Sequence, residues 1–286
     1  MPMLQRPDMG AAGAGAPAGA AQRPRAAESD PMSHLLDRPV WASLTGPHAS
    51  IAVGGALAQR YVRDVNLFAS ARDDSPEALA ALAALVQPGD QVALLQVPQI
   101  AMPPGCVSVK DAPGVQMLAT RSLIGEVSLD GMAPLSDADA PEMLALARLT
   151  QPGPFLPRTH TMGRFIGVRI DGRLAAMAGE RMRLAGHVEV SGVCTHPDFR
   201  GRGLARRLSA AVAAAIEARG DRPFLHAWQS NHAAIALYET LGFELRTQVN
   251  VSIIERAGPA LCRPGSSAGG RTAQGMSEGS ADCESR

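Results

Sequence analysis

Lysine is nearly absent: Lys110 is the single one, and arginine carries the rest of the positive charge. That charge is balanced, since Lys+Arg and Asp+Glu each number 27 in 286 residues and the formal net charge is zero. The balance argues against a strongly electrostatic binder, so neither nucleic acid nor a membrane surface is an expected partner. Cysteine is sparse too. Cys106, Cys194, Cys262 and Cys283 lie far apart, with no Cys-x-x-Cys pair. This excludes a cysteine-rich zinc module and a dense disulfide scaffold; no metal site is expected, and a reducing cytoplasm is the natural reading. No apolar run approaches the roughly 18 residues of a membrane-spanning helix.

What the chain does have is apolar material, 46% of its residues, enough for a packed core. At about 150 residues per domain the length allows one large domain or two ordinary ones. Its abundance of Ala, Gly, Pro and Arg is that of a GC-rich bacterial genome. Residues 1–32 and 257–286 are rich in Gly, Ala, Ser or Pro without a hydrophobic period and read as disordered tails; Met32 offers an alternative start. Between them the reading is an N-terminal α/β lobe over 33–113 and a second domain over 114–256, divided near Pro113.

In the first lobe Ile51–Val53, Leu57–Tyr61 and Gln91–Val97 read as short strands. Ser75-Pro76 opens a helix to about Val86, with Ser as cap and Pro at the first helical position. Met102–Gly114, broken by prolines and glycines, reads as irregular connection. In the second domain Val115–Thr120 and Glu126–Leu129 read as strands, and Ser136 caps a helix to Leu149. Arg164–Ile170 and Arg173–Arg183 form a hairpin through Asp171-Gly172. His187–His196 is a strand, Gly203–Arg219 a helix, Phe224–Trp228 a strand and Asn231–Leu241 a helix. Phe243–Leu245 and Val249–Ile254 close the order. The fold class is mixed α/β, or α+β: a mostly antiparallel sheet flanked by helices, not a regular βα repeat.

The chemistry concentrates in Glu189–Ala205. A strand ends at His196-Pro197, and Arg200-Gly201-Arg202-Gly203-Leu204-Ala205 turns into a helix. Glycines there let the backbone approach a ligand, and free amides at a helix start attract an anion, so the loop is a candidate pyrophosphate cradle. A dinucleotide fingerprint fails, because its third glycine would fall at Arg206, and no Gly-Lys-Ser/Thr supports a P-loop. Val193-x-x-His196-Pro197 followed by Arg200-x-x-Gly203-x-Ala205 resembles motif A of the GNAT superfamily of acyl-CoA-dependent N-acyltransferases. Asn231, seven residues before Tyr238 and followed by Leu241-Gly242-Phe243, matches a second family pattern. The likeness covers about Glu126–Arg256. The layout is similar to two-lobed members, including the glycine N-acyltransferase-like group, whose first lobe is a degenerate partner of the second.

The resemblance implies that acetyl-CoA, or another acyl-CoA, is a co-substrate, and that its acyl group passes to a primary amine by direct attack in a ternary complex. The implied cofactor-binding residues are Val193, Cys194 and Thr195 along the pantetheine arm, Arg200, Gly201, Arg202, Gly203, Leu204, Ala205 and Arg206 at the pyrophosphate, and Asn231. Tyr238 is implied as the acid for the leaving thiolate. Glu189 is the candidate base, and burial is expected to raise its pKa toward neutrality; Glu180 is a weaker rival. Cys194 as a nucleophile is a minor alternative. His196 shapes the turn, while His187 and His226 either line the acceptor pocket or are structural. Pro152–Thr161, the Asp171-Gly172 hairpin and the edge of the first lobe are expected to build that pocket. The acceptor is a small molecule or peptide amine, and a homodimer stays open. The competing reading is a non-catalytic acyl-CoA-binding module that regulates a partner.

Overall fold

The computed structural model describes residues 34–125 and 128–258. The expected tails and residues 126–127 therefore lie outside the described residues, apart from Ala257 and Gly258. The described residues from Leu35 to Gly258 belong to one compact unit. Among the described residues, eleven strands run in chain order: β1 Ala52–Gly54, β2 Ala58–Tyr61, β3 Ala69–Ala71, β4 Val92–Gln96, β5 Cys106–Ala119, β6 Met132–Leu135, β7 Phe165–Ile170, β8 Arg173–Leu184, β9 His187–Thr195, β10 Arg222–Trp228 and β11 Phe243–Arg256. Five α-helices among the same residues accompany them: α1 Pro39–Leu44, α2 Pro76–Leu85, α3 Ala140–Thr150, α4 Leu204–Glu217 and α5 His232–Thr240. β1, β2 and β3 form a small antiparallel sheet. The other eight form the main sheet in the order β4-β11-β5-β10-β9-β8-β7-β6, antiparallel except where β9 and β10 run parallel.

Local chemistry explains several boundaries. Ser75 Oγ accepts from Ala78 N at the start of α2. Ser136 and Asp139 form a reciprocal capping box ahead of α3. Asp171 and Gly172 both have positive φ, 50° and 76°, the backbone hand that a two-residue hairpin needs. On α4, Leu204, Leu208, Val212 and Ile216 recur every fourth residue and bury one stripe against the main sheet.

Four expectations need correction. Met102–Gly114 is not irregular beyond Gly105, because β5 begins at Cys106 and runs straight through Pro113. β10 stops opposite Gly114, so the earlier half of β5 has one open edge. Pro113 accepts from Gln229 N on that side, so its nitrogen faces the same edge, where a missing N–H costs nothing. The boundary expected near Pro113 thus falls inside a strand. Ser128–Leu129 is not strand, and the pairing with β7 is made later, by Met132–Leu135. The two closing strands are one, β11, with a bulge between Leu245 and Thr247; β3 was not foreseen.

The N-terminal segment also covers the main sheet. Adjacent β10 residues point to opposite faces, so Leu225 joins the cluster under α4 whereas Phe224 joins another. That second cluster mixes Leu36, Val40, Leu44, Tyr61, Val65 and Phe68 with Leu118, Met182, Leu184 and Phe224. A chain beginning at Gly114 would expose this face and remove both partners of Val251–Ile254. It should show no cooperative thermal transition in calorimetry; a cooperative melt within a few degrees of the full chain would show the second half to be self-sufficient.

Candidate active site

β9 ends in a turn held by its own side chains. His196 Nδ1 accepts from Asp198 N, and Phe199 is buried beneath it, with the guanidinium groups of Arg173 and Arg202 over its ring at 5.2 and 5.4 Å. The next residues turn outward. Gly201 and Gly203 have φ of 76° and 71°, and a Cβ on either would meet nothing within 4 Å. α4 starts at Leu204, and its first bond in the helical ladder runs from Arg207 N to Gly203 O. The amides of Leu204, Ala205 and Arg206 therefore lack intrahelical acceptors, at the positive end of the helix dipole. Arg200, Arg202 and Arg206 are exposed around the turn, while Arg207 is engaged by Asp130 O at 2.7 Å. An open, amide-lined, arginine-rimmed loop of this kind fits a pyrophosphate.

Beside the loop the main sheet splits. β10 pairs with β9 only from His187 to Glu189, and beyond that the two strands part. Among the described residues, the β10-facing edge of Val190–Thr195 has no partner strand. Gly192, at φ 63°, sits where the β8–β9 register is irregular. Val193 is half-buried and Cys194 buried. Burial pushes the Cys194 thiol up to about 11, so almost no thiolate exists at neutral pH. Thr195 Oγ1 is buried and finds no hydrogen-bond partner among the described residues.

Tyr238, on α5, lies edge-on to Phe243 with ring centroids 6.1 Å apart. Burial, and then the negative charge of Glu189, raise its hydroxyl to about 12. It keeps its proton throughout the physiological range. Asn231 is the exposed N-cap of α5, and its Oδ1 accepts from Ala234 N at 3.2 Å.

The rise expected for the Glu189 pKa is reversed. Its side chain is fully buried, and Arg181 grips both oxygens, Nε to Oε2 at 2.7 Å and Nη2 to Oε1 at 2.6 Å. Met182 N donates to Oε2, and His226 Nδ1 lies 2.7 Å from Oε1. Burial alone would raise the carboxyl, but the charge and hydrogen bonds of Arg181, with those of His226, outweigh it and hold the pKa at about 2. Such a carboxylate accepts a proton poorly at neutral pH. Glu180 is also committed, to Arg219 Nη2 at 2.6 Å.

His226 extends the chain of contacts. With Nδ1–H donated to Glu189, its Nε2 accepts from Gln116 Nε2 at 2.9 Å. Gln116 donates also to Leu36 O and accepts from Arg246, which bonds Asp37. Arg181 was not singled out by sequence reasoning. Symmetric pairing about the Ala185-Gly186 turn would set Met182 opposite Glu189; the register shift between Glu180 and Arg183 brings Arg181 there instead, and no local pattern announces such a shift.

Arg181 also borders a small cleft, with about 10 Å³ of free space, room for about one water, lined by Pro152, Gly153, Pro154, Phe155, Thr159, Phe165, Ser191 and Gly192. Its lining takes in part of the Pro152–Thr161 region and not the Asp171-Gly172 turn. A larger hollow of about 460 Å³, between β2 and the end of α2, contains none of the expected site residues.

Comparison with known proteins places this geometry. Residues 166–251 match the model of the FR47-like protein family. A solved structure from Novosphingobium aromaticivorans, described as an acetyltransferase of the GNAT family, is 44% identical, covers 79% of this chain and 100% of that chain, and superposes with a TM-score of 0.75. A GCN5-related N-acetyltransferase from Kribbella flavida, 22% identical over 79% of this chain and 97% of its own, has a TM-score of 0.53 and shares the fold. No curated protein sequence matches the chain. At 44% identity across the whole length of its structural relative, the chain belongs to the GNAT family of acetyltransferases.

Proposed function

We propose that this protein moves an acetyl group from acetyl-CoA to a primary amine by direct attack in a ternary complex. The observation that carries the reading is the parting of β9 and β10 after Glu189, beside the open glycine loop. The amides of Gly201–Arg206 hold the pyrophosphate, with Arg200, Arg202 and Arg206 supplying charge. The free edge of Val193, Cys194 and Thr195 pairs with the pantetheine arm as an extra strand would. When bound, acetyl-CoA supplies the activated acetyl group and a thiolate to be displaced. Tyr238 Oη, protonated at neutral pH, donates to the departing sulfur. The buried, protonated thiol of Cys194 supports direct transfer over an acyl-cysteine route.

The locked Glu189 makes it an anchor rather than a base. The acceptor amine then arrives deprotonated or loses its proton to water. That same observation favours the binding-only reading to one extent: a regulatory module needs no base. The two part on turnover, because a pure binder takes up CoA and releases no thiol with any amine.

Three experiments test the reading. For two acceptors of different amine pKa, kcat/KM should rise with pH at midpoints that follow the acceptor, whereas an enzymic base would fix one midpoint for both. In the same assay Tyr238→Phe should keep CoA affinity and lose about 10²-fold in kcat, the scale of one general acid; unchanged turnover would remove Tyr238 from its role.

Gly203→Val forces a branched side chain into a left-handed backbone (φ 71°) and into the space of the phosphate. By calorimetry it should weaken CoA binding about tenfold or more, and normal affinity would mean that the pyrophosphate lies elsewhere.

A further inference from the structure

We propose that the hollow between β2 and the end of α2 is a second binding site, which takes a small carboxylic acid with an apolar body and steadies the segment at Arg158-Thr159. Its free space of about 460 Å³ falls within the range of about 300–1,000 Å³ that holds small organic ligands. No residue of the glycine turn or of the β9–β10 split lines it, so the site stands apart from the acetyl-CoA reading. Two arginines set its charge. Arg60 Nη1 donates to Asp90 Oδ2 at 2.9 Å, and Arg63 Nη2 reaches the same oxygen at 2.8 Å. One carboxylate thus serves two guanidiniums. Asp64, on the rim, pairs with Arg158 at 3.3 Å. This cluster of three arginines and two aspartates keeps one positive charge uncompensated. Arg60 is the fixed member. Its side chain is 6% exposed, and Nη1 also caps α2 through Leu85 O at 3.0 Å. Its Nε and Nη2 bond nothing among the described residues.

The rest of the lining is an apolar wall. Val53 stands opposite Arg60 in the β1–β2 pair and is 49% exposed. Val62, Ala84 and Leu85 continue that wall. A carboxylate on the two arginines gains charge-assisted bonds, one of its donors is already held in place, and its single charge matches the excess. Covering Val53, Val62 and Leu85 with an apolar body adds the hydrophobic part. Arginine stays protonated at any working pH, so the site does not switch off between pH 5 and 9. The lining also runs into the fastening of another segment. Asp64 O accepts from Arg158 N at 2.9 Å, and Val65 O accepts from Thr159 Oγ1 at 2.6 Å. Thr159 in turn lines the small cleft with Ser191 and Gly192. An acid held at Arg63 and Asp64 therefore rests on the residues that fasten Arg158 and Thr159.

Calorimetry on the full chain, saturated with CoA so that the glycine turn is covered, tests this without turnover. The probes are hexanoate, phenylacetate and indole-3-acetate, each against its own carboxamide, with acetate as the anion that lacks a body. At least one of the three acids should bind about tenfold or more tightly than its amide and than acetate. Ala84→Trp, on the exposed side of α2, fills the hollow and should weaken that acid about tenfold or more. Arg63→Gln removes the excess charge and should bring acid and amide together; Arg63 is 57% exposed, so this variant should melt as the parent does. Amide hydrogen exchange locates the ligand: the acid should slow it over 60–65 and 84–87, and at 158–159. No binding by any acid, amides or acetate binding as tightly, unchanged affinities in both variants, or protection confined to other segments would overturn the site. Protection over 60–65 and 84–87 alone would keep the site and overturn its hold on Arg158-Thr159.

Discussion

The ion pair between Arg181 and Glu189 organises the site. Two adjacent strands place opposite charges face to face in a dry interior, where an unpaired charge is costly and a doubly bonded pair is tolerated. Each partner has other contacts, Phe68 for the guanidinium and Met182 N and His226 for the carboxylate. Removing one partner strands the other, at a cost of about 3–5 kcal/mol. The pair depends on pH in one direction. Glu189 is depressed from 4.5 to about 2 in the folded chain. Its contribution is fully present above the unfolded value and is lost as pH falls through the folded one.

From that pair the structure runs in two directions. Toward the N-terminus, His226, Gln116, Arg246 and Asp37 carry hydrogen bonds from Glu189 to the segment before α1. The bulge between Leu245 and Thr247 falls at Arg246, which reaches Gln116 and Asp37. Toward solvent, β9 leaves β10 just after Glu189, and the opening continues to the glycine turn and α4. The last paired residue of the two strands is thus the one most tightly anchored, and the ligand-sized gap begins where that anchoring ends. A rigid root beside an open edge suits a fold that must hold a long, flexible co-substrate in one register.

Much of this was legible from residues. Gly201 and Gly203 announced a left-handed turn before a helix, Asp171-Gly172 a hairpin, Ser75-Pro76 a helix start, and Tyr238-x-x-Leu241-Gly242-Phe243 a helix running into a strand. Each is a local signal, set by backbone conformation within a few residues. What escaped is non-local. Pro113 reads as a break because a sequence does not say that β10 ends opposite Gly114 and leaves an edge open. Glu189 reads as an isolated strand carboxylate because nothing nearby in the chain announces Arg181 across the turn or His226 far beyond it. Its pKa was therefore argued from burial alone, with the wrong sign. The same gap hid the packing of Leu36, Val40 and Leu44 onto the main sheet.

The account turns on Glu189 being an ionised anchor throughout the working pH range. The direct measurement is an isotope-edited infrared titration of the folded protein, with the glutamate carboxyl bands assigned by difference against Glu189→Gln. The expected result is a Glu189 band that stays that of a carboxylate from pH 8 down to about pH 4, below which protonation begins. A Glu189 carboxyl that takes up its proton between pH 5 and 8 would contradict the account, because the residue would then be free to serve as the base.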